Sequence, residues 1–130
     1  MTTQEFEALL KEFNAIIIDQ KVEMDKQKKG IGYFKARIVL KDKSCLALYE
    51  ALNEGSKKYG YQWMREDNSL IICWDNAEHH PEISTHPDHK HEGTRQNVQA
   101  SQPMSLEKVL DYISKIIGII LFFGLIFYFL

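Results

Sequence analysis

A chain of 130 residues, 45% hydrophobic and 26% charged, has the size and balance of one globular domain with a single core. Its formal net charge of −2 excludes nucleic-acid binding through overall charge, although a local basic patch remains compatible with it. The two cysteines, Cys45 and Cys73, match no CxxC pattern and read as reduced, partly buried thiols.

The opening, MTTQEFEALLKEF, is too charged for the apolar core of a signal peptide, so the domain is expected on the cytosolic side. Within it Phe6, Leu9, Leu10 and Phe13 recur at helical spacing after Thr3, which predicts a short amphipathic helix capped by that threonine. The segment NAIIIDQKVEMDKQ, rich in β-branched residues and then alternating, predicts a strand. Lys28–Gly30 reads as a turn and IGYFKARIVLKD as a second strand. Asp42–Ser44 makes another turn before CLALYEAL, where alternation suggests strand and the leucines and alanines suggest helix. The turn spacing of a meander favours strand. KKYGYQWMRE, the turn DNS and LIICWDNA predict a final hairpin with Tyr59, Tyr61 and Trp63 on one face.

Residues 77–103 are polar, with no apolar period, and a segment of that length inside a compact domain is expected to be functional or disordered. SLEK, beginning at Ser105, then has the pattern of a helix start. The fold expected is α+β: an N-terminal helix, an antiparallel sheet of about five strands, a His-rich loop over 75–92, and a C-terminal helix running into an apolar tail. The domain spans 1–104, an amphipathic helix 105–115 and the tail 116–130.

The tail, IIGIILFFGLIFYFL, carries no charge, and as a helix it covers about 22 Å of a hydrocarbon layer about 30 Å thick. A helix apolar all round suits a membrane or a protein interior rather than a surface. Lys108 and Lys115 flank its N-terminal side, as for a segment entering from the cytosol. Attachment to the cytoplasmic membrane through 116–130 is therefore expected.

All five histidines, His79, His80, His86, His89 and His91, lie within the histidine-rich loop. Imidazole titrates near neutrality and ligates metals, so two chemistries are open. For metal, an extended chain would put His89 and His91 on one face with Asp75 nearby. The helical HExxH spacing and paired cysteines are both missing, so no metal or cofactor is expected. For acid–base work, two imidazoles suit RNA cleavage: one deprotonates the 2′-hydroxyl and the other protonates the departing 5′-oxygen. Lys90 or Arg95 would stabilise the phosphorane. Tyr59, Tyr61 and Trp63 would then stack bases, unless that aromatic face is core.

The run DNAEHHPEISTHPDHKHEG resembles the signature of the TumE-type family of small prokaryotic toxins of toxin–antitoxin pairs. Asp75, Asn76, Ala77, His79, His80, Pro81 and Glu82 match its first half. Thr85, Pro87, His89, Lys90 and His91 match its second, whereas Glu78, His86 and Asp88 depart from it. The resemblance extends through YGYQWM and SLEKVLDYI, covers most of residues 1–113, and stops before the tail. It implies action on RNA and an antitoxin partner with a helix-turn-helix domain. On that footing His80 and His91 are the expected acid–base pair, His79 and His89 their alternates, Lys90 the phosphate ligand and Asp75 an orienting acceptor. Two other readings stay open: a non-enzymatic protein- or metal-binding module tethered to a membrane, and a tail that is itself the toxic element.

Overall fold

The computed structural model describes the backbone of residues 1–129 and the side chains of residues 1–118. It is α+β, as expected. Helix α1 (Thr3–Glu12) leads through a short 3₁₀ turn into β1 (Ile17–Lys28), β2 (Ile31–Leu40), β3 (Cys45–Asn53), β4 (Ser56–Met64), β5 (Leu70–Asp75), β6 (His89–Glu92) and β7 (Val98–Ala100). Helix α2 (Leu106–Phe129) follows. The strands form one antiparallel sheet in chain order, a seven-stranded meander. The CLALYEAL segment is strand, paired on both sides.

Two local expectations are corrected. The cap of α1 is Thr2, one residue earlier than predicted, because its hydroxyl accepts the Glu5 amide at 3.2 Å. The segment 77–103 is not wholly irregular, since it contributes β6 and β7. These strands, HKHE and VQA, are too short and too polar to leave an apolar period. Strand β6 forms by pairing with the edge that β5 offers, and β7 by pairing with β6 in turn. Ser105 does cap α2, its Oγ accepting the Lys108 amide at 3.2 Å.

Side chains alternate across a strand, so each strand supplies one residue in two to each face. Phe34, Ala36, Ile38 and Leu40 of β2, Leu46 and Leu48 of β3, Tyr59, Tyr61 and Trp63 of β4, and Ile72 and Trp74 of β5 form one buried layer. Both helices cover it with Phe6, Leu10, Leu106, Val109, Leu110, Ile113 and Ile117. The Phe6 and Phe34 rings meet at 5.3 Å, and Tyr112 of α2 sets its ring edge against Trp74 at 5.5 Å. The buried polar groups are partnered: the Tyr61 hydroxyl donates to Glu50 at 2.6 Å and the Trp63 indole to Ser44 at 2.9 Å.

Helix α2 continues unbroken past residue 115, and Ile116 and Ile117 pack on the core. The remainder of the tail expected to enter a membrane, residues 119–130, lies outside the described side chains. Among the described residues no helix is long and apolar enough to cross a membrane.

Candidate active site

Among the described residues no helix covers the opposite face of the sheet. There a cleft of about 510 Å³ runs from β1–β3 to β6, lined among others by Lys35, Arg37, Tyr49, Gln62, Cys73, Asp75, His79, His80, His89, His91 and Arg95. Register explains the convergence. Asp75 pairs with His89 and Cys73 with His91, so all four point to the open face, while Trp74 and Lys90 between them point to the other.

Asp75 is the centre of the cluster. His89 Nε2 lies 3.0 Å from its Oδ1 and His91 Nε2 lies 3.3 Å from its Oδ2. On the far side of each ring, His89 Nδ1 meets the Pro87 carbonyl at 2.9 Å and His91 Nδ1 meets the Arg95 carbonyl at 2.8 Å. Carbonyl oxygens only accept, so both Nδ1 atoms carry hydrogen and both Nε2 atoms face the carboxylate. His80 closes the group, its ring centroid 4.9 Å from that of His89 and 5.6 Å from that of His91. Its Nδ1 lies 3.1 Å from Glu82, an arrangement that leaves Nε2 free. His89 and His91 are buried, and His80 is half-buried at the cleft.

The loop between β5 and β6 is held by residues of the same histidine-rich run. Asn76 accepts the Tyr59 amide at 3.0 Å and donates to the Lys57 carbonyl at 2.9 Å, clamping the end of β5 to β4. The Thr85 hydroxyl donates to the Asp88 carbonyl at 2.6 Å and accepts the Ser101 amide at 3.0 Å. The Tyr59 hydroxyl donates to Asp88 at 2.6 Å, fixing the residue before His89. The run therefore divides into cluster residues and the brackets that hold them.

Charge and burial act on the neighbours of the cluster. Burial, with Asp75 beside it, pushes the Cys73 thiol up to about 11, so it stays protonated at neutral pH and is no nucleophile. Partial burial and then Asp75 raise the Tyr49 hydroxyl. Glu82 is held below the usual range by its own backbone amide and further by His80.

Of the residues expected at the site, Asp75, His79, His80, His89, His91 and Arg95 line this cleft, with His79 exposed at its rim. Asp75 reaches two imidazoles rather than the single one expected. Lys90 does not join them: alternation turns it to the other face, 3.5 Å from Glu92. Tyr59, Tyr61 and Trp63 are no stacking surface. They are 4%, 0% and 3% exposed beneath α2, on the face away from the histidines. The aromatics on the open side are Tyr33 and Tyr49, 49% and 38% exposed. The Tyr49 ring lies over the backbone of Gly60, where a Cβ would collide with it. With Lys35 and Arg37, these occupy the alternate positions of β2 and β3 that the apolar pattern leaves unexplained, which is the signal by which they are found.

No curated protein and no solved structure matches this chain. The sequence matches the family described as Toxin TumE across residues 6–117, which takes in the whole sheet, the cluster and the start of α2. The chain therefore belongs to the TumE toxin family, toxins of toxin–antitoxin pairs.

Proposed function

We propose that this toxin cleaves RNA in the open-face cleft, by histidine acid–base catalysis that needs no metal. The observation that carries the reading is the packing of three imidazoles together, two of them on the Asp75 carboxylate, in a cleft whose opposite wall presents Lys35, Arg37 and Tyr49. His80 acts as the base. Glu82 holds its Nδ1–H, and its Nε2 accepts the proton of the ribose 2′-hydroxyl. The 2′-oxygen attacks phosphorus and the P–O5′ bond breaks, leaving a 2′,3′-cyclic phosphate and a 5′-hydroxyl. The proton for the departing oxygen comes from His91, which is more accessible than His89 and is oriented by Asp75 and the Arg95 carbonyl. Arg95 supplies charge to the phosphorane in place of Lys90. Tyr33 and Tyr49 offer ring faces to unstacked bases, and Lys35 and Arg37 follow the backbone.

Family membership implies an antitoxin partner, and we infer that it carries a helix-turn-helix domain. Attachment to the cytoplasmic membrane through the segment 116–130, beyond Ile116 and Ile117, which pack on the core, belongs to the same proposal, and fractionation of cells expressing the full chain tests it.

The test of the catalytic reading is growth and total-RNA integrity after induction of the full chain, beside His80→Ala and His91→Ala. Arrest with RNA breakdown in the wild type alone is the expected result. Arrest with intact RNA in all three would move the toxicity out of the cleft and into the tail. A variant that loses antitoxin binding along with arrest would favour a binding loop.

A further inference from the structure

The cluster is also built as a ligand set. We propose that His80, His89 and His91 bind one divalent transition-metal ion of the zinc class beside Asp75, and that filling this site switches off cleavage. The silencing half rests on the acid–base reading above, whereas the binding half does not.

Three observations support binding. One nitrogen from each imidazole falls within a group no wider than 4.8 Å. Zinc bonds of about 2.1 Å in tetrahedral geometry place neighbouring ligand atoms about 3.4 Å apart, so the three imidazoles must draw together to share one ion. Next, both Nδ1 atoms of His89 and His91 are engaged by main-chain carbonyls, at 2.9 and 2.8 Å. That outer contact fixes ring orientation and tautomer so that Nε2 presents a lone pair. Finally, these two lone pairs converge on different oxygens of one carboxylate, at 3.0 and 3.3 Å. An imidazole nitrogen facing a carboxylate holds either a proton or a metal ion between them, and the separations equally suit adjacent ligands on one ion. Imidazole donors select zinc, copper, nickel or cobalt over magnesium and calcium.

Three imidazoles supply three ligands of a four-coordinate ion, and Asp75, in contact with two of the rings, lies beside them. The ion occupies the lone pair that His80 needs as base and the nitrogen through which His91 donates. A loaded chain therefore has neither proton acceptor nor donor, and removal of the metal restores both.

The test uses the untagged full chain, stripped with chelator and dialysed, then titrated with ZnCl₂ by calorimetry and with CoCl₂ by visible absorption. The expected result is one ion per chain, the strong absorption of four-coordinate cobalt, and at least a tenfold loss of affinity in His89→Gln, with His86→Ala unchanged. Histidine ring NMR of the wild-type chain avoids dependence on the variant's folding: His80, His89 and His91 shift on zinc addition and His86 does not. Binding that survives His89→Gln, or ring shifts confined to exposed histidines, overturns the site. RNA cleavage is followed in the same titration and should fall in step with occupancy. Cleavage unchanged or raised at full occupancy overturns the silencing. If the stripped chain cleaves no RNA at all, the nuclease reading fails, and the metal site stands or falls on the titrations.

Discussion

The two faces of this sheet are written by the same strands in alternate letters, and they behave as different molecules. One face carries Phe34, Ile38, Leu46, Tyr61, Trp63 and Trp74 and is sealed by two helices. The other carries Lys35, Arg37, Tyr49, Asp75, His89 and His91 and is open. The covered face supplies stability through apolar area removed from water, and the open face is free to place charge and lone pairs where a ligand can meet them. Aromatic residues fall on both, so an aromatic residue alone does not mark a binding surface. Its register relative to the core does.

The comparison breaks if substitutions on the two faces have the same consequence. The largest effect is expected for Trp63→Ala or Tyr61→Ala. Each removes a buried ring and a buried hydrogen bond and should cost about 3–5 kcal/mol in chemical denaturation. Tyr33→Ala on the open face should leave stability within roughly 0.5 kcal/mol of wild type. In RNA binding the order reverses: Tyr33→Ala and Tyr49→Ala, read by fluorescence anisotropy, should each lose about 1–3 kcal/mol of affinity.

A smaller change sharpens the role of the basic wall. Lys35→Ala should weaken binding alike on all sequences, with the salt slope falling by about 0.7 for each phosphate no longer neutralised. Arg37→Ala should do so less, because Glu23 already pairs with Arg37 at 2.9 Å. An unchanged salt slope would remove that wall from the RNA path.

The smallest effect concerns the buried ion on the covered face. Burial pushes the Glu50 carboxyl up, but the Tyr61 hydroxyl and Lys57 outweigh it, and its pKa is lowered overall from the ordinary 4.5. A carboxylate lowered in the folded state stabilises above its unfolded pKa and loses that contribution as pH falls through the folded one. Glu50→Gln should therefore destabilise the chain at neutral pH and flatten its loss of stability below about pH 4.5, in denaturation curves recorded across that range.

The strongly periodic parts of the chain are legible as sequence. Helix α1 and strands β2, β4 and β5 follow from apolar spacing, because each buries one stripe or one face. Strand β1 is legible from its β-branched residues, though none of it is fully buried, and β3 from the turns on either side of it. Strands β6 and β7 are not, since HKHE and VQA carry no apolar alternation and owe their structure to a neighbouring edge. For the same reason Lys90 reads as a site residue in sequence: in a loop it lies beside His89 and His91, and in a strand it points away from both. The histidines and Asp75 are visible by type and clustering. Their meeting on Asp75 depends on a cross-strand register that no local pattern encodes. Glu82 enters the sequence reading as a matched residue of the family signature, and only its 3.1 Å contact with His80 gives it a part to play.

The central claim, that the open-face cluster cleaves RNA by proton transfer, is tested most directly by end-group analysis of RNA treated with the purified full chain in excess chelator. The account predicts fragments ending in 2′,3′-cyclic phosphate and 5′-hydroxyl, made by the wild type and lost in folded His80→Ala. Fragments with 5′-phosphate ends, or cleavage that persists in His80→Ala, would contradict it.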